Sequence, residues 1–324
     1  MSILDKAHNE TLMDYKIRLC ENKDQLNLTW SEIAQLVNRV TKQGYGESAI
    51  RKWYTAFDEG RKYVYNKEFS SVRTRILCIS DLHIPYQLPV STFEQYRGKV
   101  ELLVLNGDIV DMSSISKFDK IYRNSPMEEI ITARAYIMQL NDYLKPEKIL
   151  VNYGNHDIRF ERYLSKVMDT DLNELMPKTP LELIIEQGFI HYDKKNCTKT
   201  QYSPLRDYMN IEYTNNWFCQ YGDTIFVHPT AFSSGILKTA EKALYYFRNE
   251  GYDFRSLVMA HTHRLGEYVI GNTTIYEQGC CCDVDQMQYN NGKLINSQKE
   301  GFLYLCQDME NKTIRDKTKL ILIK

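Results

Sequence analysis

The sequence contains no apolar run that approaches the roughly 20 residues needed to span a bilayer. Its first 20 residues also contain no apolar segment of the kind found in signal peptides. Neither charge dominates, because 41 Lys and Arg residues face 42 Asp and Glu residues. A general attraction to nucleic acid is therefore excluded, and any such binding must use local basic surface. These absences predict a soluble, cytoplasmic protein.

The eight cysteines form no pattern that requires disulfide bonds. Several lie in apolar, strand-like segments, where a free thiol packs as a small hydrophobic group. The run Cys280-Cys281-Cys282 suggests a metal site, but adjacent side chains on a strand point to opposite faces. Paired zinc ligands are also usually separated by about two to four residues. We therefore predict structural cysteines.

Residues 1–62 are predicted to form a separate module of three short amphipathic helices. Thr29 and Glu32 fit a capping box at the start of the second helix, and the third helix is predicted to run from about Glu47 to Phe57. Residues 63–74 are predicted as a linker. The remaining residues, 75–324, are predicted to form a second and larger domain.

The third helix of this module follows a glycine-containing turn, as in a helix-turn-helix domain. Its exposed face is predicted to carry Arg51 and Lys52, which would contact DNA from the major groove. The alternative is a helical packing or oligomerisation module, because acidic and basic residues are balanced in this part of the chain.

Five short polar blocks follow five apolar runs in the rest of the chain. The runs predict buried strands, and ligands of α/β sheets bind beyond the carboxyl ends of strands. On an extended strand, residues two apart also share a face. Carboxylates and imidazoles in such positions predict a two-metal phosphoester hydrolase. The blocks are Asp81-Leu82-His83, Gly107-Asp108-Ile109-Val110-Asp111, Gly154-Asn155-His156-Asp157, His228 alone, and His261-Thr262-His263.

This series resembles the calcineurin-like metallophosphoesterase superfamily, over about Arg75 to Tyr276. The overall pattern is similar to phage or bacterial members in which a small helical module precedes the esterase core. The resemblance implies an α/β fold, with a two-sheet sandwich flanked by helices after a small N-terminal all-α module. It places the protein in the cytoplasm of a bacterium or a phage-infected host cell. Ala260 stands where the family usually has glycine, which is tolerated unless the backbone there needs a positive φ.

The resemblance also implies the ligands of two divalent metal ions. Oxygen and imidazole ligands suit Mn, Fe or Zn, and we expect Mn²⁺. His191 is an alternative to His228, because it also lies in a strand-like segment. The family pattern assigns Asp81, His83, Asp108 and His263 to one metal, and Asp108, Asn155, His228 and His261 to the other.

His156 resembles the family's histidine that is not a ligand and that donates a proton or hydrogen bond to the leaving oxygen. Asp111 is expected to keep it cationic through opposite charge, and Asp157 is the alternative partner or a helix-start residue. Arg159 is expected to bind a phosphate oxygen, or to be a surface arginine on the helix that begins there.

The function predicted from these residues is a metal-dependent phosphodiesterase or nuclease that acts on DNA, with the N-terminal module contacting phosphates. One alternative is a phosphomonoesterase or nucleotide phosphodiesterase whose N-terminal module is only structural. Another is a DNA-binding regulator with an idle esterase fold. Met112 stands where phosphoprotein phosphatases have an arginine, which counts against that branch. The segment from Tyr163 to Pro204 is predicted to form a cap of small helices that selects the substrate.

Overall fold

The computed structural model describes residues 4–8, 10–69, 71–117, 122–287 and 298–323, with the backbone alone at residues 64–69. The chain divides into two compact units, Met1–Ser71 and Val72–Lys324. None of the helices in these described ranges is both long and apolar enough to cross a membrane.

The first unit consists of helices α1 (Leu12–Glu21), α2 (Trp30–Thr41) and α3 (Glu47–Phe69). Both α1 and α2 begin with a complete capping box, and the predicted box of Thr29 and Glu32 is confirmed. Such a box satisfies two of the backbone N–H groups that a helix leaves unpaired at its start. The helices enclose a small core that includes Tyr15, Leu19, Ile33, Val37 and Ile50.

Helix α3 extends to Phe69, so the prediction of a linker over residues 63–74 is wrong for residues 63–69. No proline or glycine interrupts residues 61–69. Asp58 also forms ion pairs with Arg61 and Lys62, three and four residues further along the helix. Ion pairs at this spacing stabilise a helix, which explains why α3 continues beyond Phe57.

The second unit contains two main sheets and a separate hairpin. The six-stranded sheet has the order β13-β12-β1-β2-β3-β6, and the five-stranded sheet has the order β10-β11-β9-β8-β7. The hairpin pairs β4 with β5. The strands are β1 (Thr74–Ile79), β2 (Leu102–Asn106), β3 (Lys148–Asn152), β4 (Phe189–Asp193), β5 (Thr198–Tyr202), β6 (Ile211–Tyr213), β7 (Phe218–Tyr221), β8 (Thr224–Val227), β9 (Ser256–Met259), β10 (Leu265–Ile270), β11 (Thr273–Gln278), β12 (Gly301–Gln307) and β13 (Lys319–Leu322).

Helices lie between these strands. The longer ones are α4 (Pro126–Leu144), α5 (Arg159–Val167) and α8 (Lys238–Asn249), and the short ones are α6 (Thr170–Asn173) and α7 (Pro180–Glu182), which continues as a π-helix over Leu183–Gln187. Short 3-10 helices occupy Val90–Tyr96, Ser113–Ile115, Leu205–Asp207, Val284–Gln286 and Arg315–Lys317.

The two sheets pack face to face through a core that includes Val104, Phe226, Val258 and Leu303. The apolar face of α4 packs with the other face of the six-stranded sheet, and α8 packs with the five-stranded sheet through residues such as Phe247. Burying a side chain of this size contributes about 1.5–3 kcal/mol. The predicted α/β sandwich flanked by helices is therefore confirmed.

All five strands predicted before the polar blocks are present. Strands β1, β2 and β3 run parallel in one sheet, and β8 and β9 run parallel in the other. The polar blocks therefore begin where these strands end. The predicted cap is helical only in its first part, because Phe189–Asp193 and Thr198–Tyr202 form the β-hairpin. Gly188, at φ +75°, separates the two parts.

Candidate metal centre

The four side chains predicted to hold one metal lie together beyond β1, β2 and β9. His263 Nε2 is 3.0 Å from Asp81 Oδ1 and 3.2 Å from His83 Nε2. His83 Nε2 is 3.9 Å from Asp108 Oδ2. Bonds of about 2 Å to one ion separate its ligand atoms by about 3 to 4 Å. The arrangement therefore fits a shared cation.

Two of the side chains predicted to hold the other metal, His228 and His261, lie around the same aspartate. Asp108, His228 and His261 offer ligand atoms within 4.8 Å of one another, and His228 Nε2 lies 3.2 Å from Asp108 Oδ2. His228 Nδ1 donates a hydrogen bond to the carbonyl oxygen of Asn106 at 2.8 Å. This bond fixes the ring and leaves Nε2 as the ligand atom. His191 lies in β4 and belongs to none of the potential ligand clusters found among the described residues.

The polar atoms at this centre lack partners that a cation would supply. Asn155 Oδ1, His228 Nε2 and His261 Nε2 are buried and make no hydrogen bond within the described residues. An unpaired buried polar atom costs about 1–3 kcal/mol. The lone pairs of His228 Nε2 and Asp108 Oδ2 would also repel each other unless a proton or a cation lies between these two atoms. The residues therefore fit two divalent ions, and their oxygen and imidazole donors suit Mn, Fe or Zn.

The charges of this cluster depend strongly on one another. Burial alone would raise the pKa of Asp108, but His228 and His156 hold that pKa well below its ordinary value. Burial lowers the pKa of His228, and Asp108 and Asp81 more than reverse this and raise it to about 9. Burial and the neighbouring His228 lower the pKa of His261 to about 3. Metal binding must displace protons here, so it is coupled to pH.

Backbone strain is concentrated at the ligands. Asp81, His83, Asp108, His261 and His263 all have positive φ, between 44° and 73°. The expectation that Asp81 and His83 share one face of an extended strand is therefore wrong, and the same holds for His261 and His263. These residues lie in loops beyond the strand ends. Such conformations cost about 1–3 kcal/mol each and are typical of functional sites.

Two glycines allow the loops to approach closely. Gly107 has φ +78°, and a Cβ there would lie 2.5 Å from His228 Nδ1. A Cβ on Gly154 would lie 2.2 Å from Asp108 Oδ1. Ala260 is not among the residues with positive φ, so its methyl group is tolerated, as expected.

His156 lies beside the ligands and forms the predicted pair with Asp111. Its Nδ1 is 2.9 Å from Asp111 Oδ1, and its Nε2 is 3.8 Å from Asp108 Oδ2. Arg159 donates from Nη2 to His156 Nε2 at 2.9 Å and from Nη1 to the carbonyl oxygen of Asp111 at 2.7 Å. Arg159 is therefore part of this site rather than a surface residue.

Asp157 is neither the partner of His156 nor a simple helix-start residue, the two roles considered for it from the sequence. Its carboxylate accepts hydrogen bonds from the backbone N–H groups of Ile109, Val110 and Gly154. Burial, with the nearby charge of Asp108, raises its pKa to about 7. Asp157 thus joins two ligand-bearing loops, and Asp111 is the partner of His156.

Sequence reasoning missed two groups at the edge of the centre. The Cys282 thiol lies within 4.8 Å of ligand atoms of His83 and His263. Cys281 belongs to the core on the other side, as the alternation rule requires. The same rule places Cys280 and Cys282 on one face, which was the available signal. Glu129 of α4 accepts hydrogen bonds from the backbone of Met112 and the hydroxyl of Ser113.

The two residues predicted to contact DNA lie in the first unit. Arg51 and Lys52 occupy α3, and both are exposed. Their exposure leaves them accessible to a partner. Contact with DNA stays a prediction.

Comparison with known families identifies the class of this protein. Residues 74–265 match the family model of calcineurin-like phosphoesterases. The chain therefore belongs to the calcineurin-like phosphoesterase family. Residues 1–69 match a second family model, the YonJ N-terminal domain.

Individual proteins are similar to parts of this chain. The SPbeta prophage-derived uncharacterized protein YonJ of Bacillus subtilis (strain 168) is 51% identical over 59 residues, which are 18% of this chain and 15% of that protein. The chain thus matches only a small part of that relative's length. Vacuolar protein sorting 29 from Cryptosporidium parvum has a TM-score of 0.37 and 14% identity, covering 78% of this chain and 97% of that one. A metallophosphoesterase from Sphaerobacter thermophilus has a TM-score of 0.33 and 13% identity, covering 78% and 88%.

Proposed function

We propose that this protein is a two-metal phosphodiesterase that acts on DNA. The observation that carries the proposal is the convergence of carboxylate and imidazole groups around Asp108, together with buried ligand atoms, Asn155 Oδ1 among them, that make no hydrogen bond in the described part of the chain. Two divalent cations bound there would lower the pKa of a water nucleophile and stabilise charge on the phosphoryl oxygens. The proposed ligands are Asp81, His83, Asp108, Asn155, His228, His261 and His263.

The proposed role of His156 is to give a proton to the leaving oxygen. Asp111 accepts the Nδ1 hydrogen bond at 2.9 Å, and this bond orients the ring. Nε2 then carries the proton that is transferred. Arg159 must first release its hydrogen bond to Nε2. The phosphate of the substrate would cause this, because a guanidinium binds phosphate oxygens more strongly than a neutral imidazole.

The limited positive charge beside His156 suits a phosphodiester better than a phosphomonoester. A phosphomonoester carries about 1.5 to 2 negative charges at neutral pH, whereas a diester carries one. Arg159 contacts His156, but Met112, which stands where a second cation would help, is buried and neutral. A singly charged phosphate requires less compensation, so it suits this site better.

DNA as the substrate is supported by the first unit. Helix α3 follows α2 after a short connection and exposes Arg51 and Lys52. Two cations on one helix contribute phosphate contacts that do not depend on base sequence. They would increase affinity for a polymer without changing the chemistry at the metals.

The substrate test compares Mn²⁺-dependent hydrolysis of bis-p-nitrophenyl phosphate, p-nitrophenyl phosphate, cyclic nucleotides, and single- and double-stranded DNA. We expect diesters to react faster than the monoester, and DNA to be cleaved. Faster monoester hydrolysis without DNA cleavage would instead indicate a phosphomonoesterase. Duplex binding without hydrolysis of any ester, under any metal, would indicate an idle regulator.

The contribution of the first unit is tested with the double variant Arg51→Ala/Lys52→Ala. DNA affinity should fall. The slope of log affinity against log salt concentration should become shallower by the amount that about two phosphate contacts contribute. Hydrolysis of bis-p-nitrophenyl phosphate should stay at the wild-type rate. Lys194→Ala/Lys195→Ala removes the same charge from an exposed turn of the second unit and serves as the control. Equal losses in both double variants would reject a specific role for α3.

A further inference from the structure

We infer that Cys282 is an additional ligand, as a thiolate, of the metal held by Asp81, His83 and His263, and that it makes this position prefer Zn²⁺ over Mn²⁺. The inference rests on the proposed two-metal site. It adds a sulfur donor to a ligand set that otherwise contains only oxygen and nitrogen. Soft thiolates favour zinc, whereas oxygen donors suit manganese.

The geometry brings three potential donors together. Ligand atoms of His83, His263 and Cys282 lie within 4.8 Å of one another, and all three residues are buried. In a tetrahedral zinc site, nitrogen and sulfur ligands are separated by about 3.6 Å. The three atoms therefore need to approach one another by at most roughly 1.2 Å to bind one zinc ion.

The polar atoms of the two histidines indicate a missing cation. His83 Nε2 and His263 Nε2 face each other at 3.2 Å. The Nδ1 atom of each ring is buried and makes no hydrogen bond to nitrogen or oxygen within the described ranges, and the His263 ring also interacts with the thiol of Cys280. His263 is only 4% exposed, so water does not readily compensate. A cation between the two Nε2 atoms would bind the lone pair of each without a proton, and the unpaired atoms described above, Nδ1 of each ring, would not contact it.

Within the residues that the structure describes, the Cys282 sulfur makes no hydrogen bond to the backbone, unlike the sulfurs of Cys280 and Cys281. The thiols of Cys280 and Cys281 contact the carbonyl oxygens of Lys299 and Gly301 at 3.4 Å. Cys282 instead interacts with the thiol of Cys280. Its lone pairs therefore remain available to a metal.

The backbone holds Cys282 against the ligand-bearing loop. The N–H of Cys281 donates to the carbonyl oxygen of Ser80 at 2.9 Å, directly before Asp81. The N–H of Asp283 donates to the carbonyl oxygen of Tyr86 at 2.8 Å, and Cys282 itself forms a β-bridge with Gln87. The segment that carries Cys282 is thus fixed on both sides to the loop that carries Asp81 and His83.

Binding at this position has a defined proton balance. The S–H bond of Cys282 breaks as the sulfur–metal bond forms, and the proton leaves to solvent. No oxidant or other reagent is needed. Loading the wild-type protein with metal should therefore release one more proton than loading the Cys282→Ser variant.

Cobalt(II) provides a readout that does not depend on activity. Thiolate ligands give intense charge-transfer absorption in the near ultraviolet, whereas oxygen and nitrogen ligands give only weak d–d bands in the visible. Titration of metal-free wild-type protein with Co²⁺ should produce both. Cys282→Ser should lose the charge-transfer band and keep the d–d bands, and Cys280→Ser, the matched control, should keep both.

Competition between metals measures the consequence for selectivity. Cys282→Ser should bind Zn²⁺ at least about tenfold more weakly, while its Mn²⁺ affinity changes little. Tenfold is the lower limit because the loss of a residue that only hydrogen-bonds to a metal ligand already costs about that much. Should the variants fail to fold, zinc X-ray absorption of the wild-type protein still decides, because a sulfur ligand appears at about 2.3 Å.

Each contrary outcome has a separate meaning. Bound cobalt without a charge-transfer band, or zinc without a sulfur neighbour, overturns the assignment of Cys282 and leaves the two-metal proposal standing. Loss of the band in Cys280→Ser but not in Cys282→Ser shows that the sulfur donor is Cys280 and also overturns it. Failure of the protein to bind cobalt at all overturns both proposals.

Discussion

Replacing His156 with alanine tests the proposed chemistry without removing a proposed ligand. The imidazole would protonate the leaving oxygen, so its loss matters most when that oxygen leaves as a strong base. We expect the His156→Ala variant to lose far more activity on DNA, whose leaving group is an alkoxide, than on bis-p-nitrophenyl phosphate, whose nitrophenolate departs without a proton. Metal content should be unchanged.

The expected magnitude follows from the contacts of the ring. Loss of a general acid costs about 10²- to 10⁴-fold in rate, or about 3 to 5 kcal/mol of transition-state stabilisation. The fold should lose only about 1–3 kcal/mol, the range for one hydrogen bond to a charged group. Asp111 keeps two other neighbours, because His83 Nδ1 lies 3.6 Å away and Arg159 Nη1 lies 3.8 Å away.

The assay is single-turnover hydrolysis of DNA and of bis-p-nitrophenyl phosphate at saturating Mn²⁺, with metal content measured on the same samples. His191→Ala, in the β4–β5 hairpin, is the control for loss of a histidine outside the centre. An equal loss on both substrates would refute proton donation by His156, and wild-type activity would remove it from the mechanism.

Three further predictions concern the loops, the pH dependence and the first unit. Gly154→Ala places a Cβ 2.2 Å from Asp108 Oδ1, so metal affinity measured by calorimetry should fall together with about 1–3 kcal/mol of stability; unchanged affinity contradicts the close approach. Burial raises the pKa of Glu129 to about 7, so the native state takes up a proton that the unfolded state binds only below about pH 4.5. The unfolding free energy should therefore fall by about 3 kcal/mol from this group as pH rises from about 4.5 to 7. Denaturant titrations of Glu129→Gln should show a flatter pH profile, and an identical profile rejects the shift. Thr29→Ala removes the capping box with Glu32 and should cost the first unit about 1 kcal/mol, seen as a lower thermal midpoint, whereas an unchanged midpoint argues against the cap.

The strands, and the position of a polar block at the end of each, were predictable because both signals are local. An apolar run followed by Asp81 or Asp108 marks a buried strand and its end within a few residues. The end of α3 was harder, since the pairs of Asp58 with Arg61 and Lys62 stabilise the helix beyond Phe57, where the predicted helix ends. Local composition alone does not reveal such a continuation.

The remaining features depend on contacts between distant parts of the chain. The positive φ of Asp81 and His83 is imposed by hydrogen bonds from their N–H groups to the carbonyls of Gly107 and Asp108. The approach of Cys282 to His83 depends on the packing of one loop against another. Residues separated by about 200 positions give no periodic signal, so the sequence leaves such pairs unassigned.

Anomalous scattering from crystals grown with Mn²⁺ tests the central claim most directly. We expect two peaks about 3.5 to 4 Å apart, one on each side of Asp108, with His263 beside one and His228 beside the other. A single peak, or metal bound away from Asp108, would contradict the two-metal centre on which the proposed function depends.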